Sequence, residues 1–250
     1  MKLLSIGNSF SQDAHKWLSP LAAAYGVQID AVNLYIGGCS LETHWSNYVS
    51  GEAVYDLELN GEKLRETSIQ AALKSDAWDV ITFQQASRFC GIPASYEPYL
   101  SNLARAAAAA CPTADLWLHQ TWAYESDFSH EWFESYGYDQ SRMYRQLISA
   151  NCFSAQKLGC PILPVGEVIQ HIRAFCPDFD YQNGGLSLNR DGFHLSRLYG
   201  RYAAALTWFA CLTGADIHEV KFIPVWEGEA ADPALLLQIN RAAAEIIASR

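Results

Sequence analysis

The chain has 250 residues, 50% of them hydrophobic, with 8 Trp, 13 Tyr and 11 Phe, and so much apolar surface excludes a disordered chain. Lys and Arg total 17 against 27 Asp and Glu, a formal charge of −10. The basic residues are scattered, and nucleic acid or an anionic membrane would need a basic face, so neither is an expected partner.

In chain order, residues 3–6 form a short apolar run ended by Gly7 and read as a strand. Residues 13–25 place Trp17, Leu18, Leu21, Ala22 and Tyr25 at helical spacing, with Gly26 as the stop. Residues 29–36 read as a second strand, closed by Gly37-Gly38. Residues 55–64 carry an Asn60-Gly61 pair, a hairpin signal, and 68–74 read as a helix. Residues 80–84 form a third strand, 96–110 an Ala-rich helix stopped by Cys111-Pro112, and 115–119 a fourth strand. Residues 140–158 are a long helix closed by Gly159, 162–165 a fifth strand and 166–175 a short helix. Residues 195–212 and 233–248 are the last two helices.

Short apolar strands alternating with helices are the pattern of a parallel sheet buried on both faces. The predicted fold is α/β: a three-layer α/β/α sandwich with a five-stranded parallel, flavodoxin-like sheet, in one domain over residues 1–250. Two segments, 40–67 and 121–138, exceed ordinary loop length and follow the carboxyl ends of strands, where open α/β sheets bind ligands. Both are read as pocket walls. The second holds Trp122, Tyr124, Phe128, Trp132, Phe133, Tyr136 and Tyr138.

The seven cysteines lie at 39, 90, 111, 152, 160, 176 and 211 with no CxxC spacing. They read as free thiols in a reducing compartment rather than a disulfide framework or zinc site. The apolar run at 3–6 is too short for a secretory h-region and no stretch approaches a membrane span, so a cytoplasmic protein is expected.

Ser9 lies two residues beyond the first strand, in Gly7-Asn8-Ser9-Phe10-Ser11, before a helix. A serine on such a turn offers a nucleophilic hydroxyl and one oxyanion-binding N–H; the other reading is that Ser9 or Ser11 caps the helix. Asp191-Gly192-Phe193-His194 is the second signal. A carboxylate three residues before a histidine on a tight turn can hold one imidazole nitrogen and leave the other as a base. The alternatives are a helix-start turn capped by Asp191 or Ser196, and a metal set of Asp191, His194 and His44 that lacks a surrounding cluster. Cys39, after Gly37-Gly38, is a rival nucleophile with no evident group to lower its pKa.

Together these blocks resemble the SGNH (GDSL-like) hydrolase family, and within it a branch of DUF4886 type. Gly7-Asn8-Ser9-Phe10-Ser11 is similar to its first block, Gly37-Gly38-Cys39-Ser40 to its glycine block, and Asp191-Gly192-Phe193-His194-Leu195-Ser196 to its last block. Asn8 replaces the family's Asp. The third block should supply an Asn, and here the strand ends in Gln84-Gln85; Gln carries the same amide on a longer stem.

The resemblance implies a serine esterase with Ser9, His194 and Asp191 as catalytic residues. The oxyanion hole would be built from the Ser9 and Gly38 amides and Gln84, with Gln85 as the alternative to Gln84. Asn8, Gln85, Trp45, His119, Trp122 and Tyr124 are candidate substrate contacts. The implied substrate is a small-molecule ester, with an O-acylated carbohydrate suggested by the aromatic loops. No cofactor or metal is expected, and the sequence does not fix the oligomeric state. A catalytically silent ligand-binding module is the alternative from another class. An acyltransferase or a phosphodiester hydrolase on the same site is a third, although the acidic chain does not suggest the basic pocket a phosphodiester would need.

Overall fold

Seven strands, β1 (Lys2–Gly7), β2 (Asp30–Tyr35), β3 (Tyr55–Leu59), β4 (Glu62–Thr67), β5 (Val80–Phe83), β6 (Asp115–His119) and β7 (Ile162–Leu163), form one sheet in the order β4-β3-β2-β1-β5-β6-β7. The computed structural model describes residues 1–250. Strands β2, β1, β5, β6 and β7 are mutually parallel, whereas β3 and β4 run as an antiparallel hairpin beside β2.

The helices are α1 (Ser9–His15), α2 (Leu18–Ala24), α3 (Leu41–Ser50), α4 (Ile69–Leu73), α5 (Tyr99–Ala110), α6 (Gln140–Leu158), α7 (Val165–Phe175), α8 (Tyr199–Thr213) and α9 (Pro233–Ala248). Side chains alternate across a strand, so β1 feeds two cores. Leu3 joins a core shared with α1, α2, α7, α8 and α9, while Leu4 and Ile6 join one shared with α3, α4 and α5. Helix α6 contributes Met143 and Leu147 to the first core and Ala150 and Ala155 to the second. Every residue from Gly200 to Ala210 is buried, which makes α8 the central helix of its layer.

The three-layer α/β architecture and the five parallel strands are present, but the sheet has seven strands rather than five. The hairpin at 55–64 is not a pocket wall: it covers the edge of β2, where unpaired backbone groups would otherwise face solvent. Asn60 (φ 52°) and Gly61 (φ 84°) form its turn, and the Asn60 side chain accepts from Ala31 N–H at 3.0 Å, which pins the hairpin to β2.

Other boundaries move for local reasons. The single helix predicted over 13–25 is two helices, α1 and α2, broken at Lys16-Trp17. Pro20 has no N–H to give the Lys16 carbonyl, and its ring would clash with it. Helix α3 was hidden inside the 40–67 excursion; Ser40 caps it through Thr43 N–H at 3.2 Å and Gly51 closes it. Helix α8 begins four residues later than predicted, at Tyr199, because Leu195 N–H is bound elsewhere and Ser196 Oγ accepts from Gly200 N–H. A small hairpin, β8 (Val225–Trp226) and β9 (Glu229–Ala230), was not predicted. No helix is long and apolar enough to cross a membrane.

Candidate active site

Strand β1 delivers the chain to the sheet's carboxyl edge at Gly7, and Asn8 follows in extended conformation. Asn8, not Ser9 or Ser11, caps α1: its Oδ1 accepts from Phe10 N–H at 3.0 Å. Its Nδ2 donates to the Cys39 carbonyl at 3.1 Å, which fastens the turn after β1 to the glycine turn after β2. The Ser9 hydroxyl is thereby left free of capping.

Ser9 Oγ lies 2.9 Å from His194 Nε2, and His194 Nδ1 lies 2.7 Å from Asp191 Oδ2. A carboxylate only accepts, so Nδ1 carries the proton and Nε2 is the acceptor for the serine hydroxyl. Asp191 Oδ1 also accepts from the N–H groups of His194 at 2.7 Å and Phe193 at 3.2 Å. Burial works to raise the Asp191 carboxyl, but the hydrogen bonds from the His194 ring and backbone outweigh it and hold the pKa below the ordinary carboxylate value. The turn that makes this possible needs Gly192 (φ +85°): a Cβ there would lie 2.3 Å from the Phe128 ring.

A buried carboxylate on the serine-bearing helix holds the histidine turn in place. Asp13 accepts from Leu195 N–H at 2.8 Å, from Arg201 Nε at 2.8 Å and from Arg190 at 2.9 Å. The long segment 121–138 grips the same turn from the other side. Glu125 N–H donates to the Gly192 carbonyl at 2.7 Å, and Trp122 Nε1 donates to the Phe193 carbonyl at 2.7 Å. Sequence reasoning missed Asp13, Arg190 and Glu125; the only local hint was Arg190 standing directly before Asp191.

The N–H groups of Ser9 and Gly38 have no acceptor within the chain and are available to a developing oxyanion. The third expected donor is corrected. Gln84 is 1% exposed; its Nε2 donates to Asn8 Oδ1 at 2.5 Å and its Oε1 accepts from Ser11 at 2.5 Å and His119 at 2.7 Å. It stands behind Asn8 as a brace. Gln85 is no substitute: its Oε1 accepts from Leu41 N–H at 3.1 Å and its Nε2 donates to the Ser95 carbonyl at 2.8 Å.

Most expected substrate contacts are also corrected. Asn8, Gln85, His119, Trp122 and Tyr124 are all buried, because their polar atoms and rings complete the wall itself. Trp122 stacks on Phe10 at 4.1 Å, and the Tyr124 hydroxyl pairs with Ser87 at 2.8 Å. Burial pushes His119 down to about 3, helped by nearby His15, so it is neutral. Trp45 remains half-buried, stacked on Tyr48. The aromatic surface near His194 comes instead from Phe193, 3.9 Å from the imidazole, and from Phe128 and Trp132, which pack on Phe193.

Neither rival site assembles. Burial pushes the Cys39 thiol up to about 12, against a weaker opposite pull from Arg88, so Cys39 is no thiolate. His44 is buried with the Tyr55 hydroxyl at 2.8 Å and does not join Asp191 and His194, and no group of three His, Cys, Asp or Glu residues could hold a metal ion.

Residues 2–234 match the model of a domain of unknown function, DUF4886. The chain belongs to the DUF4886 family. A DUF4886 family protein from Bacteroides uniformis ATCC 8492 shares 37% identity and a TM-score of 0.89, with 99% of this chain and 95% of that one covered. An SGNH-hydrolase candidate from Slackia heliotrinireducens shares 24% identity and a TM-score of 0.60 over 85% of this chain and 98% of its own. A family 3 carbohydrate esterase from Clostridium thermocellum shares 17% identity and a TM-score of 0.53 over 84% and 93%. These last two likenesses place this DUF4886 chain in the SGNH-like fold. No protein of curated function matches it.

Proposed function

We propose that this chain is a serine esterase. The observation that carries the reading is the continuous hydrogen-bond chain Ser9–His194–Asp191, at 2.9 and 2.7 Å, beside two amide N–H groups without acceptors. Ser9 Oγ attacks the ester carbonyl as its proton passes to His194 Nε2, and Asp191 stabilises the resulting imidazolium. The Ser9 and Gly38 amides bind the oxyanion. Collapse of the tetrahedral intermediate expels the alcohol, which takes the proton from His194. Water, deprotonated by the same imidazole, then cleaves the acyl-serine and releases the acid.

The alternative of a silent binding module gives no reason for the imidazole to be held between a carboxylate and a serine hydroxyl. The acyl-carbohydrate substrate loses the support of Trp122 and Tyr124, which are buried; Trp45 and Trp132, both half-buried, are the aromatic faces left to stack on a sugar ring. Hydrolysis of 4-nitrophenyl acetate by wild type and Ser9→Ala tests the reading. A loss of about 10³-fold or more is expected on removing the nucleophile, and equal rates in the two proteins would take Ser9 out of the reaction.

A further inference from the structure

Arginines around the site are almost all paired. Arg190 and Arg201 share Asp13, and Arg173 binds Glu125, the Ala123 carbonyl and Asn189. Arg197 is unpaired but exposed, over the Trp226 ring, and Arg88 is the half-buried exception. Arg88 follows β5 in the segment 84–88, and its guanidinium makes neither a hydrogen bond nor an ion pair. Its Cζ lies 4.7 Å from the Phe89 ring centroid and 5.5 Å from that of Trp132.

Those neighbours fix where the charge stands. On one side, a Cβ placed on Gly38 would lie 3.7 Å from Arg88 Nη1. Gly38 belongs to the turn that Asn8, the residue before Ser9, holds through the Cys39 carbonyl. On the other side, Trp132 meets Phe193 edge-on at 5.8 Å, and Phe193 lies against His194. Arg88 therefore stands between the Gly38 turn, on the Ser9 side, and the Trp132–Phe193 pair, on the His194 side. A guanidinium packed on aromatic faces keeps its N–H fork free at the edge, the geometry that takes a carboxylate by two parallel hydrogen bonds. Leaving a half-buried guanidinium unpaired in a chain with 27 acidic side chains has a use if an anion arrives with the substrate.

We propose that Arg88 is a specificity-determining residue that binds a carboxylate on the substrate, so that the preferred substrates are anionic esters. This rests on the serine-esterase reading for its kinetic test and stands apart from it for its binding test. The first arm compares 4-acetoxybenzoate with neutral 4-acetoxybenzamide, which places the carboxylate on the alcohol half. The second compares mono-4-nitrophenyl adipate with 4-nitrophenyl hexanoate, which places it on the acyl half. In at least one pair, wild type is expected to favour the anionic ester by about tenfold or more in kcat/KM. Arg88→Gln brings that ratio to near one, Arg88→Lys restores part of it, and raised salt weakens it.

A ratio near one in both wild-type pairs overturns the proposal. So does a ratio that survives Arg88→Gln, or an Arg88→Gln loss equal on anionic and neutral esters, which would mean that Arg88 serves the oxyanion instead. Calorimetric titration of Ser9→Ala protein with the anionic and the neutral ester of each pair separates the two readings. Arg88-dependent binding of the anion alone, without turnover by wild type, keeps the carboxylate subsite and removes the esterase. Equal binding of the anionic and the neutral ester in both pairs removes the subsite.

Discussion

Leu195 N–H donates to Asp13 Oδ2 at 2.8 Å, so the helix that begins with Ser9 is tied directly to the residue after His194. Nucleophile and base come from opposite ends of the chain, and this carboxylate sets their separation. Arg190 and Arg201 balance its charge inside a site where Asp13 has no solvent exposure.

Asp13→Asn keeps the shape and removes the charge, leaving two guanidinium groups without their anion. Breaking a buried ion pair from one side costs about 3–5 kcal/mol, and slackening of the His194 turn is expected to lower kcat/KM by about 10². Urea unfolding and ester hydrolysis read the two effects. Lost stability with unchanged turnover would mean that Asp13 supports the fold without positioning His194.

Gln84 gives the opposite split. In Gln84→Leu, Asn8, Ser11 and His119 each lose a buried partner, and stability falls by about 1–3 kcal/mol. A brace behind the cleft is expected to cost less than about tenfold in kcat/KM, whereas loss of a direct oxyanion donor costs about 10²–10³. A loss in the second range at unchanged KM would return Gln84 to the oxyanion hole.

Burial pushes His15, His44 and His119 down to about 3 from the ordinary 6.5. Between those values the unfolded chain binds protons that the folded chain does not. The stability that depends on keeping these rings neutral is therefore complete above pH 6.5 and is lost as pH falls toward 3. By pH 5.5 each buried histidine removes about 1 kcal/mol. Urea unfolding at pH 7.5 and 5.5 measures this, and stability that is equal or higher at 5.5 contradicts it.

What the sequence made legible follows the range of the interactions. The five parallel strands stood out because burial on both faces leaves continuous apolar runs such as 80–83. Asn60-Gly61 marked a hairpin, but a turn signal says nothing about which sheet edge the hairpin joins. Asp191 and His194 were readable because the contact spans three residues on one turn, and Ser9 because it follows a strand directly. Gln84 was misassigned because its amide is aimed by Asn8 and His119, 76 and 35 residues away. Asp13 was invisible for the same reason: its arginines lie 177 and 188 residues along the chain. Trp122 and Tyr124 looked like binding surface because composition records aromatic rings and not the direction they face.

Covalent labelling tests the nucleophile most directly. The protein is incubated with an alkyl fluorophosphonate, which phosphonylates an activated serine, and the modified peptide is located by mass spectrometry. The expected result is one adduct, on Ser9, that is abolished by His194→Ala and slowed by Asp191→Asn. An unlabelled Ser9 in protein that still hydrolyses esters, or an adduct on any other residue, would contradict Ser9 as the nucleophile.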